Sequence, residues 1–161
     1  MEENNYSIKK YSSDVIDYFY NQELDKYFKF EDNVVMYEPN YVKNINEKPP
    51  LRPELNDLVR LHKLVRQRKV FTILEFGIGY STIVMADAIS KNKSDYEELK
   101  NKPQIRNTNP FQIFSVDGSS KWLEHTKGIF PKNLINFVTF SLSDIHMDTF
   151  NGRICHFYDK I

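Results

Sequence analysis

Two kinds of apolar spacing alternate along this chain. At residues 70–76 the run Val-Phe-Thr-Ile-Leu-Glu-Phe is continuously apolar and β-branched until its sixth position, the pattern of a strand buried in a parallel sheet. Residues 112–116 and 135–140 repeat it and predict two more strands, and 152–161 reads as one further short strand or turn. Between them the spacing changes to three and four. Leu55, Leu58, Val59, His62 and Val65 predict a helix of about four turns just before the first strand. Residues 83–89 have helix length and spacing after it. Residues 121–127 form a helix opened by Gly118-Ser119-Ser120 and ended by Gly128 and Pro131.

Nearer the start, Ser12-Ser13-Asp14 predicts a helix N-terminus. Val15, Ile16, Phe19, Tyr20, Leu24, Tyr27, Phe28 and Phe30 give it an aromatic-rich apolar face, which reads as core rather than as a ligand box. Val34-Val35-Met36-Tyr37 predicts a short edge strand, and Glu47-Lys48-Pro49-Pro50 is the clearest boundary signal. Pro53 suits the first turn of the helix that follows. The chain thus divides into an N-terminal aromatic-rich helical extension, 1–50, and an α/β domain, 51–161, whose mostly parallel sheet is flanked by helices. Three parallel strands are few for an open sheet of this type. The sheet is therefore expected to be incomplete in this chain, completed by a longer protein or by a partner.

Chemistry concentrates where the first strand ends. Glu75 is followed by a Gly-x-Gly turn, Gly77 and Gly79, and then by Ser81 and Thr82, which open the next apolar segment. Strand, glycine turn and helix N-terminus make a cofactor-sized cradle. Thr82 stands where the dinucleotide fingerprint has its third glycine. After the second strand comes Asp117, and after the third Ser141-Leu142-Ser143-Asp144.

The run Glu-Phe-Gly-x-Gly-x-Ser-Thr resembles motif I of the class I S-adenosylmethionine-dependent methyltransferases, over about the last two thirds of the chain. The resemblance implies a Rossmann-like fold and S-adenosylmethionine as cofactor, with this chain the first, cofactor-binding half of such a domain. It implies that Gly77 and Gly79 line the methionine side, with Glu75 near the ammonium and sulfonium charges and Ser81 and Thr82 at the turn. Asp117 would take the two ribose hydroxyls, a carboxylate accepting from a diol, and Ser143 or Asp144 the adenine amino group. A Ser-Asp pair after a strand is equally an ordinary helix cap. The distance from Gly79 to Asp117 is nearly twice the usual ~20 residues, and the polar stretch 91–110 reads as an insertion after the first helix. The strand that would carry the acceptor-side motif falls outside this sequence, so no catalytic residue is assigned and the acceptor stays open.

Composition narrows the alternatives. In 161 residues, 40% apolar and 14% aromatic, there is material for one folded core. Lys and Arg balance Asp and Glu at 22 each, so no net charge points to nucleic acid. Arg60, Lys63, Arg66, Arg68 and Lys69 crowd one helix without interleaved aromatics and read as a solvated face. The single Cys155 rules out an intramolecular disulfide, no apolar run is long enough to span a membrane, and the first residues lack a signal peptide's basic and apolar regions. These features together suggest a cytoplasmic protein. His62 reads as a packed side chain and His125 as a surface one. His146-x-Asp148 and Cys155-His156 lack a second pair at metal-site spacing, so no metal is assigned. Gly79-Tyr80-Ser81 is no nucleophile elbow and there is no Gly-Lys-Ser/Thr phosphate loop. Two other readings stay beside the methyltransferase: a non-catalytic Rossmann-like binding module, and a nicotinamide-dependent oxidoreductase.

Overall fold

The computed structural model describes residues 11–31, 34–36 and 54–159, and the chain divides into two compact units, Met1–Arg60 and Leu61–Ile161. In the first, α1 (Ser13–Asn21) starts at the predicted position and buries Phe19. It stops earlier than the aromatic stripe suggests. Glu23 turns left-handed at φ 54°, and Leu24–Lys26 forms a 3-10 turn that buries Leu24. The stripe therefore folds back on itself, with the Phe19 and Phe28 rings 6.4 Å apart. The predicted edge strand is β2 (Val34–Met36), paired antiparallel with β1 (Lys29–Glu31). The boundary at 47–50 and Pro53 lie outside the described residues. Helix α2 (Leu55–Gln67) carries the division between the units within its length.

The second unit is built on the three predicted strands: β3 (Thr72–Phe76), β4 (Gln112–Asp117) and β5 (Val138–Leu142), in the order β3-β4-β5 and all parallel. Helix α3 (Tyr80–Glu97) connects the first pair and α4 (Ser120–Ile129) the second. The register sets Glu75 beside Ser115 and Ser115 beside Phe140. Residues level with one another share a face, so Ile73, Glu75, Ile113, Ser115, Val138 and Phe140 lie on the helix-covered side. Ser81 and Thr82 of α3 reach Glu75 there, and Phe130, just past α4, meets Phe140 at 5.3 Å. The opposite face keeps Leu74 and Phe76 half exposed, at 50% and 54%, with Phe76 against Tyr158 at 4.8 Å. Among the described residues, no helix is long and apolar enough to cross a membrane.

Several expectations change. The stretch from Lys91 is not an insertion at its start, because α3 runs on to Glu97 and only the segment after it is loop. Its first half is buried all round, Thr82 through Ile89, and its second half turns polar as it leaves the core. Gly128 lies inside α4 instead of ending it. Residues Ile135–Phe137 form a 3-10 turn, so the third strand starts at Val138. No helix follows Ser143-Asp144. The chain enters an antiparallel hairpin instead, β6 (Ile145–Phe150) with β7 (Arg153–Tyr158). Asn151 and Gly152 form its two-residue turn, both with positive φ (49° and 74°), as a turn matching the twist of the two strands requires. The architecture is mixed α/β, with a three-strand parallel sheet and antiparallel hairpins.

Candidate functional site

The carboxyl ends of β3 and β4 bring together six of the eight candidate residues: Glu75, Gly77, Gly79, Ser81, Thr82 and Asp117. Glu75, the last but one residue of β3, is the hub. Its Oε1 accepts from Ser81 Oγ at 2.6 Å, and its Oε2 accepts from Thr82 Oγ1 and from Ser115 Oγ, each at 2.7 Å. Burial pushes the Glu75 carboxyl above its usual range. The three hydroxyl donors oppose that rise, and the charge of Asp117 adds to it.

The turn between β3 and α3 uses its own amides. Gly77, at φ +88°, donates from its N–H to Val116 O at 2.7 Å. That left-handed backbone is why glycine stands here. The Ile78 N–H donates to Asp117 Oδ2 at 3.2 Å, and the Gly79 N–H to Thr82 Oγ1 at 3.0 Å. A Cβ at Gly77 or Gly79 would meet nothing within 4 Å, so the turn borders open space. Asp117 binds a second amide, Ser119 N–H to Oδ1 at 2.8 Å, and so joins the turn after β3 to the turn after β4. Trp122 on α4 donates from its indole N–H to Ile78 O at 2.8 Å, closing the same junction from the other side.

The remaining two candidates stand differently. Ser143 is buried; its N–H donates to Asp117 O at 3.0 Å, and its hydroxyl donates to Asp144 O at 3.2 Å. Asp144 is exposed, and its carbonyl also accepts from the Asp159 N–H. The pair serves as the joint between β5 and the hairpin. Beside it, the Ile145 side chain packs over Gly118 in the space a Cβ would need.

Reading the residues alone missed Ser115, Ile78 and Trp122. Ser115 had a signal: it is the one small polar residue inside an apolar strand run, two positions before Asp117 and hence on its face. The amide of Ile78 and the indole of Trp122 had none, since both depend on where two turns meet.

A second polar cluster joins α2 to α3. His62 is fully buried, with Nε2 3.0 Å from Asp87 Oδ2, and Lys91 pairs with the same oxygen. Burial lowers the proton affinity of His62. Burial alone would push the Asp87 carboxyl up, but His62 and Lys91 outweigh it and hold the group below its usual range. Arg66 donates to Asn92 Oδ1 at 2.7 Å and pairs with Asp95 at 3.1 Å, and Lys69 pairs with Asp95 at 2.6 Å. Two of the five crowded cations, Arg66 in α2 and Lys69 just past its end, are therefore tied to α3. His125 is half-buried and stacked on Trp122 at 5.9 Å, not a plain surface residue. His146 pairs with Asp159 at 2.6 Å. Among the described residues, no three His, Cys, Asp or Glu side chains gather as a metal site. No family model, curated protein or solved structure matches the chain.

Proposed function

We propose that this chain binds S-adenosylmethionine at the carboxyl edge of its parallel sheet, as the cofactor-binding portion of a methyltransferase with a Rossmann-like arrangement. The observation that carries this reading is where the turn's donors go. The amides of Gly77, Ile78 and Gly79 all donate to groups of the chain itself, and the hydroxyls of Ser81 and Thr82 both donate to Glu75. A pyrophosphate needs such donors free at a helix N-terminus. Here it would meet a half-buried carboxylate behind hydroxyls whose protons are directed at that carboxylate. S-adenosylmethionine carries no phosphate, and its methionine end is net cationic, an ammonium and a sulfonium against one carboxylate, so it suits a turn of this polarity.

Asp117 supports the ribose assignment. Each of its oxygens holds one backbone amide, and a carboxylate oxygen has about two lone-pair sites. One acceptor remains on each oxygen for a vicinal diol. Open space beside Gly77 and Gly79 leaves room for the ligand against the backbone. Bound there, the sulfonium group would supply an electrophilic methyl, and the chain's contribution would be to hold and orient the donor. The same donor accounting argues against a nicotinamide dinucleotide. A non-catalytic binding module remains the second reading, favoured by the half-exposed Leu74 and Phe76 on the sheet face away from α3 and α4. Calorimetric titration with S-adenosylmethionine, S-adenosylhomocysteine and NAD tests the proposal. It expects the first two to bind and NAD to fail. Binding of NAD alone would overturn it.

A further inference from the structure

The β6–β7 hairpin touches the rest of its unit at the root, where Ile145 packs over Gly118 and Tyr158 lies against Phe76. Even so, all six residues of β6 are exposed, and Ile154 of β7 is 77% exposed. A hairpin with no covered face is barely stable in water, and further strands are the usual remedy. Its hydrogen-bond parity says where they would add. The Asp159 N–H donates to Asp144 O, directly opposite, so hydrogen-bonded pairs recur from there at every second residue: 146 with 157, 148 with 155, 150 with 153. The N–H and C=O of Ile154, His156 and Tyr158 therefore point away from β6, and among the described residues no strand takes them up. Natural edges are guarded by Lys, Pro or a bulge. β7 has no Lys or Pro, its register is unbroken, and its one arginine, Arg153, stands at the turn end.

We propose that β7 pairs antiparallel with β7 of a second copy of this chain, across a two-fold axis at His156, so that two hairpins form one four-stranded sheet. In this register the outward backbone groups of the two strands meet and like faces stay aligned. Every opposed pair is then complementary, and each occurs twice by symmetry. Ile154 meets Tyr158 of the second copy, a β-branched side chain against an aromatic ring, and Cys155 meets Phe157, sulfur against a ring. Arg153 meets Asp159, which uses Oδ1 on His146 and leaves Oδ2 for the guanidinium. A shift of two residues either way breaks this match, setting Arg153 opposite Phe157 or Asp159 opposite Cys155. The outer edge of β6 offers no Lys or Arg, and its own two-fold register sets Met147 against Met147 and Ile145 against Thr149. The chain's net charge is zero, so two copies do not repel at long range. This pairing does not depend on what the Glu75 turn binds.

Sedimentation velocity of the chain across a wide concentration range tests the proposal, on wild type, Arg153→Asp, Asp159→Arg, the double variant carrying both, His156→Pro and Met147→Pro. Wild type is expected to form a reversible dimer. Each single reversal opposes like charges at both symmetry-related places and should raise the dissociation constant about tenfold. The double variant, with the charges exchanged, should recover it. His156→Pro removes an outward N–H and spares those that face β6, so the hairpin stays and the dimer should vanish. Met147→Pro does the same to the outer edge of β6 and should leave the dimer intact. Wild type that is monomeric at every concentration overturns the proposal. So does a dimer lost with Met147→Pro and kept with His156→Pro, which puts the interface on β6. Single reversals without effect, or a double variant no tighter than the singles, overturn it too. If circular dichroism shows that His156→Pro has lost its fold, the charge-exchange series decides by itself.

Discussion

Glu75 and Asp87 are both carboxylates tied to α3, the first half-buried and the second buried, and their surroundings send them in opposite directions. Asp87 meets His62 and Lys91, whose hydrogen bonds and charge outweigh burial and hold it below its usual range. Glu75 meets three hydroxyls and a second acid; burial wins and its carboxyl rises. One site is neutralised by the fold's own cations and is complete as it stands. The other keeps a negative potential beside an open glycine turn. The charge of the partners separates the fastening from the candidate site.

The largest effect should come from cutting the fastening. Asp87→Ala leaves His62 and Lys91 without their shared acceptor, and urea denaturation should show a loss of about 3–5 kcal/mol. An equal loss in Glu75→Gln would erase the distinction between the two clusters. Next in size, Asp117→Ala should weaken S-adenosylhomocysteine by about 1–3 kcal/mol in calorimetry while the chain stays folded. Unchanged affinity would take Asp117 out of the site.

The pH dependence of unfolding gives a smaller but signed contrast. His62 holds its proton less tightly folded than unfolded. Its stabilising contribution is present at neutral pH and is lost as pH falls below its ordinary value of about 6.5. Asp87, held low, loses its contribution further down as it protonates. Glu75 runs the other way: its folded value lies above the unfolded 4.5, so its contribution is full below that and is lost as pH rises through the folded value. In chemical denaturation across pH 4 to 7.5, His62→Gln should flatten the acid-side fall. The stability advantage of wild type over Glu75→Gln should shrink as pH rises. The opposite slopes would contradict both assignments. Smallest of all, Lys69→Ala removes an exposed ion pair to Asp95 and should cost less than about 1 kcal/mol.

The strands were legible because continuous β-branched runs such as Val70–Leu74 have few other uses. Their pairing in parallel followed from the helices between them, and β3 does pair with β4 in register from Thr72 with Gln112. The ends were less legible. Gly128 has the chemistry of a helix stop yet sits one residue inside α4. Ser143-Asp144 has the chemistry of a helix cap, but the Asn151-Gly152 turn downstream forces β6 and β7 into a hairpin. That turn was readable from its two residues and their alternating flanks. At the candidate site, Glu75, Gly77, Gly79, Ser81, Thr82 and Asp117 were visible because they cluster around one turn and one strand end. The Ser115 brace and the Asp117–Ile78 amide bond were not, since they join residues about forty positions apart and arise only when the sheet forms.

The most direct measurement is a nitrogen–proton correlation spectrum of the isotope-labelled chain titrated with S-adenosylhomocysteine. Amide shifts should concentrate at residues 77–82 and 117–119, while Val65, Lys91 and Asn92 around the helix fastening stay still. Shifts confined to the fastening or to the β6–β7 hairpin, or an unchanged spectrum at saturating ligand, would contradict the assignment of the Glu75 turn as the binding site.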